Sequence, residues 1–552
     1  VKTLNRIIVS ALTLLIATVA FGQADIVKSD GITSPLHQQN IGRVTFMEKP
    51  IPIEHYKQTD FLKQIELSET KDLSIRVFMA NSLTNYLHRL SPELPPDELV
   101  KRGNYRFSFF VDGVLIYTEN LHVGAGLTEN KNSRTTLRVP LISSTGEDAW
   151  GIFMWNRFLM SGGEDALGPG THWLKIEIRP YLKTTELKVG DLIAEGSLQV
   201  TVAKPNIEES QIAIQTIKSA ADWKISRDAY DKQKIRELNL KIAQNSFKEI
   251  TSVVVIKNGK ILIEEYFNGA TRETLHDTRS VGKSFASTMT GMAIDDGFLK
   301  NENQTLREFY DLKKFANYSS KKDEVTIKSL LTMSAGFDAD DNDQDSAGNE
   351  ERMYPTGNWV KFALDLPMND SKAATVSWSY FTAGVVVLGD ILHRSVPDGL
   401  EKYAERKLFK PLGIREYKWE YTPQRLINTA GGLRMSSLDF AKFGQLYKNG
   451  GRWNGKQIVS RKWVEKTLTK HLKLPNDENG FYGYLFWNKT FTVNDRRFET
   501  FFATGNGGNK IFVFTEQPLV IVITATAYNK PYAHPQIDRM MERYILPAII
   551  TR

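Results

Sequence analysis

From Asp72 to Val202 apolar and polar residues alternate in short runs. Leu73–Phe78, Tyr105–Val111, Val114–Tyr117, Trp173–Ile178 and Ser197–Val202 carry the period of two and the β-branched or aromatic content of half-buried strands. Asp112-Gly113 between two of these runs is a hairpin-turn signal, and Gly168-Pro-Gly170 marks the entry to another. The pattern predicts an all-β sandwich over residues 61–204. Ahead of it, residues 25–60 read as an irregular leader, because Pro35, Pro50 and Pro52 interrupt any regular element. Behind it the period changes. Ile212, Ile214, Ile217, Ile225, Ile235, Leu238, Leu240 and Ile242 stand among charges as in amphipathic helices, which predicts a helical connector over 205–250.

A second domain, 251–552, opens on the hairpin Ser252–Ile256, Lys257-Asn-Gly259, Ile261–Tyr266. Its middle reads as helix and loop. Two late strands follow, Ile511–Phe514 and Leu519–Thr524, and then a helix from about Gln536 to Leu546 stopped by Pro547. Two early strands, a helical middle and two late strands predict an α+β domain whose sheet is completed by both ends of the sequence.

Composition narrows the setting. The 552 residues are 41% hydrophobic and 24% charged, which suits a globular chain with more than one core. Lys2 and Arg6 precede an apolar run from Ile7 to Phe21 and then Gly22-Gln23-Ala24, the pattern of a signal peptide over 1–24. The run is short for a membrane span, which needs about 20 apolar residues, so the expectation is a secreted, periplasmic protein with no integral membrane segment after processing. Cysteine is absent, which excludes disulfides, thiolate metal sites and a cysteine nucleophile. A net charge of +7 spread along this length gives no basic tract for nucleic acid. Trp150 and Trp155 are expected in the core; exposed, they would line a glycan or partner surface.

The acidic run Asp338 to Asp345 alternates like a calcium loop at 341, 343 and 345. Ser346 stands where such a loop needs glycine and Arg352 where it needs a bidentate glutamate, so the run reads as a solvated loop and no metal is expected. No His-Glu-x-x-His spacing occurs, and the nearest approach to a Gly-x-Ser-x-Gly elbow, Thr332-Met-Ser334-Ala-Gly336, lacks the first glycine. Ser280 and Lys283 are the sharper candidates. Three residues apart at the start of a helical run, they share a face, so an amine can take the proton of a hydroxyl that is otherwise a poor nucleophile. Ser319 and Lys322 have the same spacing in a polar stretch and read as solvated helix surface. His276 reads as structural.

Three elements occur in order: Ser280-Val-Gly-Lys283, Trp378-Ser-Tyr380-Phe-Thr382-Ala-Gly384, and Phe502-Ala503-Thr504-Gly505-Asn506-Gly-Gly508. With the flanking stretches Val325–Gly336, Ala430–Gly444 and Phe481–Trp487, the chain from about Ile250 onward resembles the serine β-lactamase and penicillin-binding-protein superfamily. The branch is that of class C β-lactamases, carboxylesterases, D-aminopeptidases and 6-aminohexanoate-dimer hydrolases. The resemblance implies a β-lactamase-like domain, an antiparallel sheet flanked by helices with a helical lobe. It implies Ser280 as nucleophile, Lys283 as base and Tyr380 as partner in proton transfer, with no cofactor. Thr382, Ala503, Thr504, Gly505 and Asn506 would bind substrate or, through backbone amides with that of Ser280, the oxyanion.

Two positions depart from the pattern. Thr382 replaces the usual asparagine, and Ala503 the usual lysine, with Asn506 close enough in register to take that place. Loss of the lysine favours a neutral ester or amide over a carboxylate-bearing β-lactam, or else another anchoring residue. The expected partners are a small ester, amide or peptide, and a cell-wall or glycan surface through the sandwich. A D,D-peptidase of the cell wall, or a degenerate peptidoglycan- or glycan-binding protein, are the other implied functions.

Overall fold

The computed structural model describes residues 24–550 apart from 50, 53–54, 69–70, 144–149, 204–206, 220–221, 344, 370–376, 476 and 478. The signal-peptide pattern, but for residue 24, lies outside the described residues. They fall into two compact units that divide between Lys204 and Pro205. Among them no helix is long and apolar enough to cross a membrane.

The first unit has two sheets around one core. Val44–Met47, Leu73–Phe78 and Thr136–Ile142 form the smaller, and Gln64–Leu67, Ala194–Val202, Gly170–Lys183, Gly103–Val111 and Val114–Asn120 run in that order across the larger, with Leu187–Val189 beside Gly170–Lys183. Alternate residues of each sheet meet inside: Phe46, Ile75, Val77 and Val139 from one, Phe107, Phe109, Ile176 and Leu198 from the other. At the hairpin tip Asp112 and Gly113 both take positive φ, 49° and 82°, as a two-residue turn between twisted strands requires. The unit is not all-β, because helices Leu83–Leu90, Pro96–Arg102, Thr128–Ser133 and Trp150–Phe158 belong to it. The last brings Trp155 into the core and Trp150 against Phe107 at 5.9 Å between ring centroids. The leader carries short regular elements. Pro35 opens helix Pro35–Asn40, where a missing N–H costs nothing, and Val44–Met47 pairs with Leu73–Phe78.

The second unit is built on a nine-stranded sheet. Its order is Lys224–Ile225, Lys260–Tyr266, Ile250–Lys257, Leu519–Ala525, Asn509–Phe514, Arg496–Gly505, Trp487–Val493, Phe481–Tyr482 and Leu472–Lys473. The first hairpin is joined to the last strand, Val253 opposite Ile523, so both ends of the sequence do complete the sheet. Its central strands are largely apolar because both faces are covered. Val254, Ile256, Ile511 and Val522 pack beneath helix Ser437–Lys448, while Val253, Val255, Phe512 and Ile523 face helix Lys232–Ala243 and the last helices of the chain.

Two expectations need correction. The connector is one short helix, Glu209–Ile212, a two-residue strand and helix Lys232–Ala243, whose Ile235, Leu238 and Ile242 sit in the second unit's core rather than between units. The last helix does not stop at Pro547. It runs from Ala533 through a π-type turn at Met541–Ile545 into Leu546–Ile549, where proline falls in the first turn and breaks nothing.

Candidate active site

The turn before helix Gly282–Asp295 holds Ser280. Arg279 there adopts φ 51°, a conformation that costs a side-chain-bearing residue on the order of 1 kcal/mol or more and persists only where its surroundings enforce it. The Arg279 N–H donates to Asp277 Oδ1 at 3.2 Å, and its guanidinium lies 4.7 Å from the Tyr528 ring centroid. The following helical turn then brings Lys283 under the serine. Lys283 is 2% exposed; its Nζ donates to Ser280 Oγ at 2.8 Å and to the Ala430 carbonyl at 2.7 Å. That carbonyl comes close because glycine meets glycine: a Cβ on Gly282 would stand 3.2 Å from the Cα of Gly431.

Tyr380 and Thr382 arrive from the start of helix Thr382–Ser395. The Lys283 ammonium faces the Tyr380 ring, 5.1 Å from its centroid, rather than its hydroxyl. Trp378 and Trp487 fix that ring at centroid distances of 6.1 and 5.8 Å. The Thr382 N–H donates to Asp341 Oδ2 at 2.7 Å, the Asp341 N–H to the Tyr380 carbonyl at 2.9 Å, and the Glu350 N–H to Asp341 Oδ1 at 2.8 Å. Burial, helped by the Glu350 charge and opposed by hydrogen bonding from Thr382 and by the Lys283 charge, pushes the Asp341 carboxyl up to about 6.

Asp341 therefore corrects the expectation of a solvated acidic loop: one of its carboxylates is folded inward to hold the Tyr380–Thr382 turn.

The third element ends strand Arg496–Gly505, which pairs Thr504 with Lys510 and Gly505 with Asn509. Gly505 presses on the turn that carries Ser280 so closely that a Cβ would fall 1.9 Å from the Thr278 carbonyl oxygen and 2.9 Å from the Ser280 nitrogen. Thr504, Gly505 and Asn506 line a cavity of about 390 Å³ together with Ser280, Tyr380, Trp487 and Lys510. A second cavity of about 470 Å³, also reaching Ser280, is lined by Thr382, Glu350, Tyr354 and Ala430. Ala503 does not join them. Its side chain is fully buried on the opposite face of the strand, in the core with Ile511 and Val522. Asn506 donates from Nδ2 to Asn529 Oδ1 at 2.5 Å and accepts at Oδ1 from the Asn529 N–H at 2.8 Å, so its amide is engaged at the turn and does not stand in for a lysine.

His276 takes a structural place. It is buried in a short strand, its Nδ1 lies 3.2 Å from Thr251 Oγ1, and burial pushes its pKa down to about 4. Lys322 departs from the solvated surface expected of it. The side chain is fully buried and donates to the carbonyls of Ala316 at 2.8 Å and Leu364 at 2.7 Å, acting as a brace between loops. Among the described residues no group of three or more histidines and carboxylates could hold a metal.

An antiparallel sheet covered by helices on both faces, with a lysine-bound serine at the head of a helix, defines the class of the second unit. The chain belongs to the β-lactamase family, whose profile matches residues 249–543, more than half of its length, and whose members are generally serine hydrolases. No curated protein matches it. Among solved structures, the chain is similar to the octameric penicillin-binding-protein homologue from Pyrococcus abyssi, at 21% identity over 55% of this chain and 75% of that one, TM-score 0.42. It is also similar to a penicillin-binding protein from Bacillus halodurans, at 15% over 54% and 98%, TM-score 0.43. A class C β-lactamase matches at 16% over 57% and 94%, TM-score 0.42.

Proposed function

We propose that the second unit cleaves an ester or amide through a covalent acyl-enzyme on Ser280. The observation that carries this reading is the 2.8 Å bond between Lys283 Nζ and Ser280 Oγ, made by a buried amine to a serine that lines two cavities. In its unprotonated form the amine takes the serine proton as Oγ attacks the carbonyl carbon, and the leaving group receives a proton through Lys283 and the neighbouring Tyr380. The oxygen of the tetrahedral intermediate is met by the Ser280 amide and the backbone at Gly505, which Gly505 alone lets approach. Water then attacks the acyl carbon, and the acid leaves as Ser280 regains its proton.

A fluorophosphonate is expected to label the protein once per chain, on Ser280, and to leave Ser280→Ala unlabelled. Turnover is then sought across p-nitrophenyl esters, D-amino-acid amides, D-Ala-D-Ala peptides and a chromogenic β-lactam. A wild-type protein that takes no label and turns over none of them is a binding protein and not an enzyme.

The Asp341 carboxylate predicts an acid limb. Above about pH 6 it is ionised and holds the Thr382 amide opposite Lys283; below, it is neutral and that grip weakens. The expected log kcat/KM falls with decreasing pH through about 6, and Asp341→Asn flattens this limb. An unchanged limb in the variant assigns it to another group.

A further inference from the structure

Lys510 lies in strand Asn509–Phe514 directly across from Thr504, and both line the cavity that reaches Ser280. The lysine is 7% exposed. It makes no hydrogen bond or ion pair among the described residues; its ammonium rests 4.6 Å from the Phe502 ring centroid. The nearest acidic influence, Asp538, is already engaged, with Oδ2 at 2.8 Å from Lys489 Nζ. The Thr504 hydroxyl oxygen is buried and likewise without a partner.

An ammonium taken out of water with no direct ion pair is costly, and so is an unpaired hydroxyl beside it. Burial depresses the lysine to about 8, so near neutral pH it still carries its charge. Two idle donors on neighbouring strands, facing one cavity, describe a site built for an anion that is bound only part of the time. His534, in the first turn of helix Ala533–Met540, lines the same cavity, and the positive end of that helix adds to the field. Glu350 lines the cavity as well and accepts from the Tyr354 hydroxyl at 2.8 Å, so the cavity is polarised and an anion is directed to the Lys510 end.

We propose that Lys510 and Thr504 form an anion subsite, and that the substrate carries a carboxylate close to its scissile carbonyl. This rests on the acyl-enzyme reading for the position of the reacting bond, and it reverses the neutral substrate expected from Ala503. The cation missing at Ala503 is supplied by the adjacent strand. Lys510 is here a specificity-determining residue and takes no part in bond making.

Two matched pairs test it on the full chain: p-nitrophenyl butyrate against mono-p-nitrophenyl glutarate, and phenyl acetate against 3-carboxyphenyl acetate. In at least one pair the anionic member is expected to show a kcat/KM at least tenfold higher. Lys510→Gln should bring that ratio to about one, and Lys510→Arg should retain part of it. Neutral and anionic esters cleaved equally well by the wild type, or a ratio that Lys510→Gln leaves unchanged, overturn the subsite while the acyl-enzyme reading stands.

If no ester is cleaved, the fluorophosphonate label on Ser280 decides the acyl-enzyme reading, and the subsite is judged by binding alone. Glutarate monomethyl ester titrated into Ser280→Ala protein by calorimetry should bind at least tenfold more tightly than to Ser280→Ala/Lys510→Gln. Equal affinities, or no binding to either, overturn it.

Discussion

Ser280→Ala is expected to lower kcat/KM about 10⁴-fold or more, and Lys283→Met about 10³-fold, with the double variant no worse than Ser280→Ala alone. The reason is that the two side chains form one device. Lys283 reaches the serine hydroxyl at 2.8 Å and has one other described acceptor, the Ala430 carbonyl, so removing either partner leaves the other with nothing to activate or be activated by. A 10³-fold loss corresponds to about 4 kcal/mol of transition-state stabilisation. Lys283→Arg separates charge from basicity: the guanidinium keeps the positive charge yet cannot give up a proton, so it is expected to fail as completely as methionine. Steady-state kinetics on the best ester, with melting temperatures for each variant, decide the matter. Additive losses in the double variant would mean that the two residues act independently and that the base lies elsewhere.

Gly505→Ala is the second large effect, and it arises without touching a reacting group. One methyl group would need to occupy space 1.9 Å from the Thr278 carbonyl oxygen, which no L-residue tolerates, so the strand and the turn that carries Ser280 must part. A displacement of about 1 Å at a donor aimed at a developing charge costs on the order of 10²-fold, carried by kcat rather than KM. Gly259→Ala is the control. It sits at the tip of the first hairpin with φ 70° and open space around it, so it should cost about 1 kcal/mol in stability and leave kcat alone. A Gly505→Ala protein with wild-type kcat would remove this strand from the reaction.

Much of this site is legible in the sequence because its elements are local. Ser280 and Lys283 are one helical turn apart, and Trp378 to Gly384 carries its own aromatic and glycine pattern. Period two located Leu73–Phe78 without error and Ile250–Lys257 within two residues at its start, since β-branched runs between turn residues have few other solutions.

What the sequence hides is orientation. Ala503 and Thr504 are neighbours, but a strand turns successive side chains to opposite faces, and only pairing with Asn509–Phe514 shows that 503 enters the core while 504 and 510 enter the cavity. Asp341 is hidden by its company, one carboxylate among several in a run whose composition reads as surface. Lys322 is the converse: a lysine in a polar stretch gives no sign that two carbonyls wait for it inside. The helices of the first unit were masked by the stronger alternation of the strands around them.

The pairing of Ile250–Lys257 with Leu519–Ala525 has a bearing on how this protein comes into being. Thr251 and Thr524, whose hydroxyls lie 2.7 Å apart, are separated by 273 positions. Contacts that close so long a loop form late and slowly. During synthesis the serine, the lysine and the tyrosine all emerge before the strand that completes the sheet beneath them. Ser280, Lys283 and Tyr380 therefore precede in the chain the strand on which their arrangement depends, and settle late in the fold. Until the final strands dock, a nascent chain exposes the apolar faces of two early strands and is a client for whatever shields such edges.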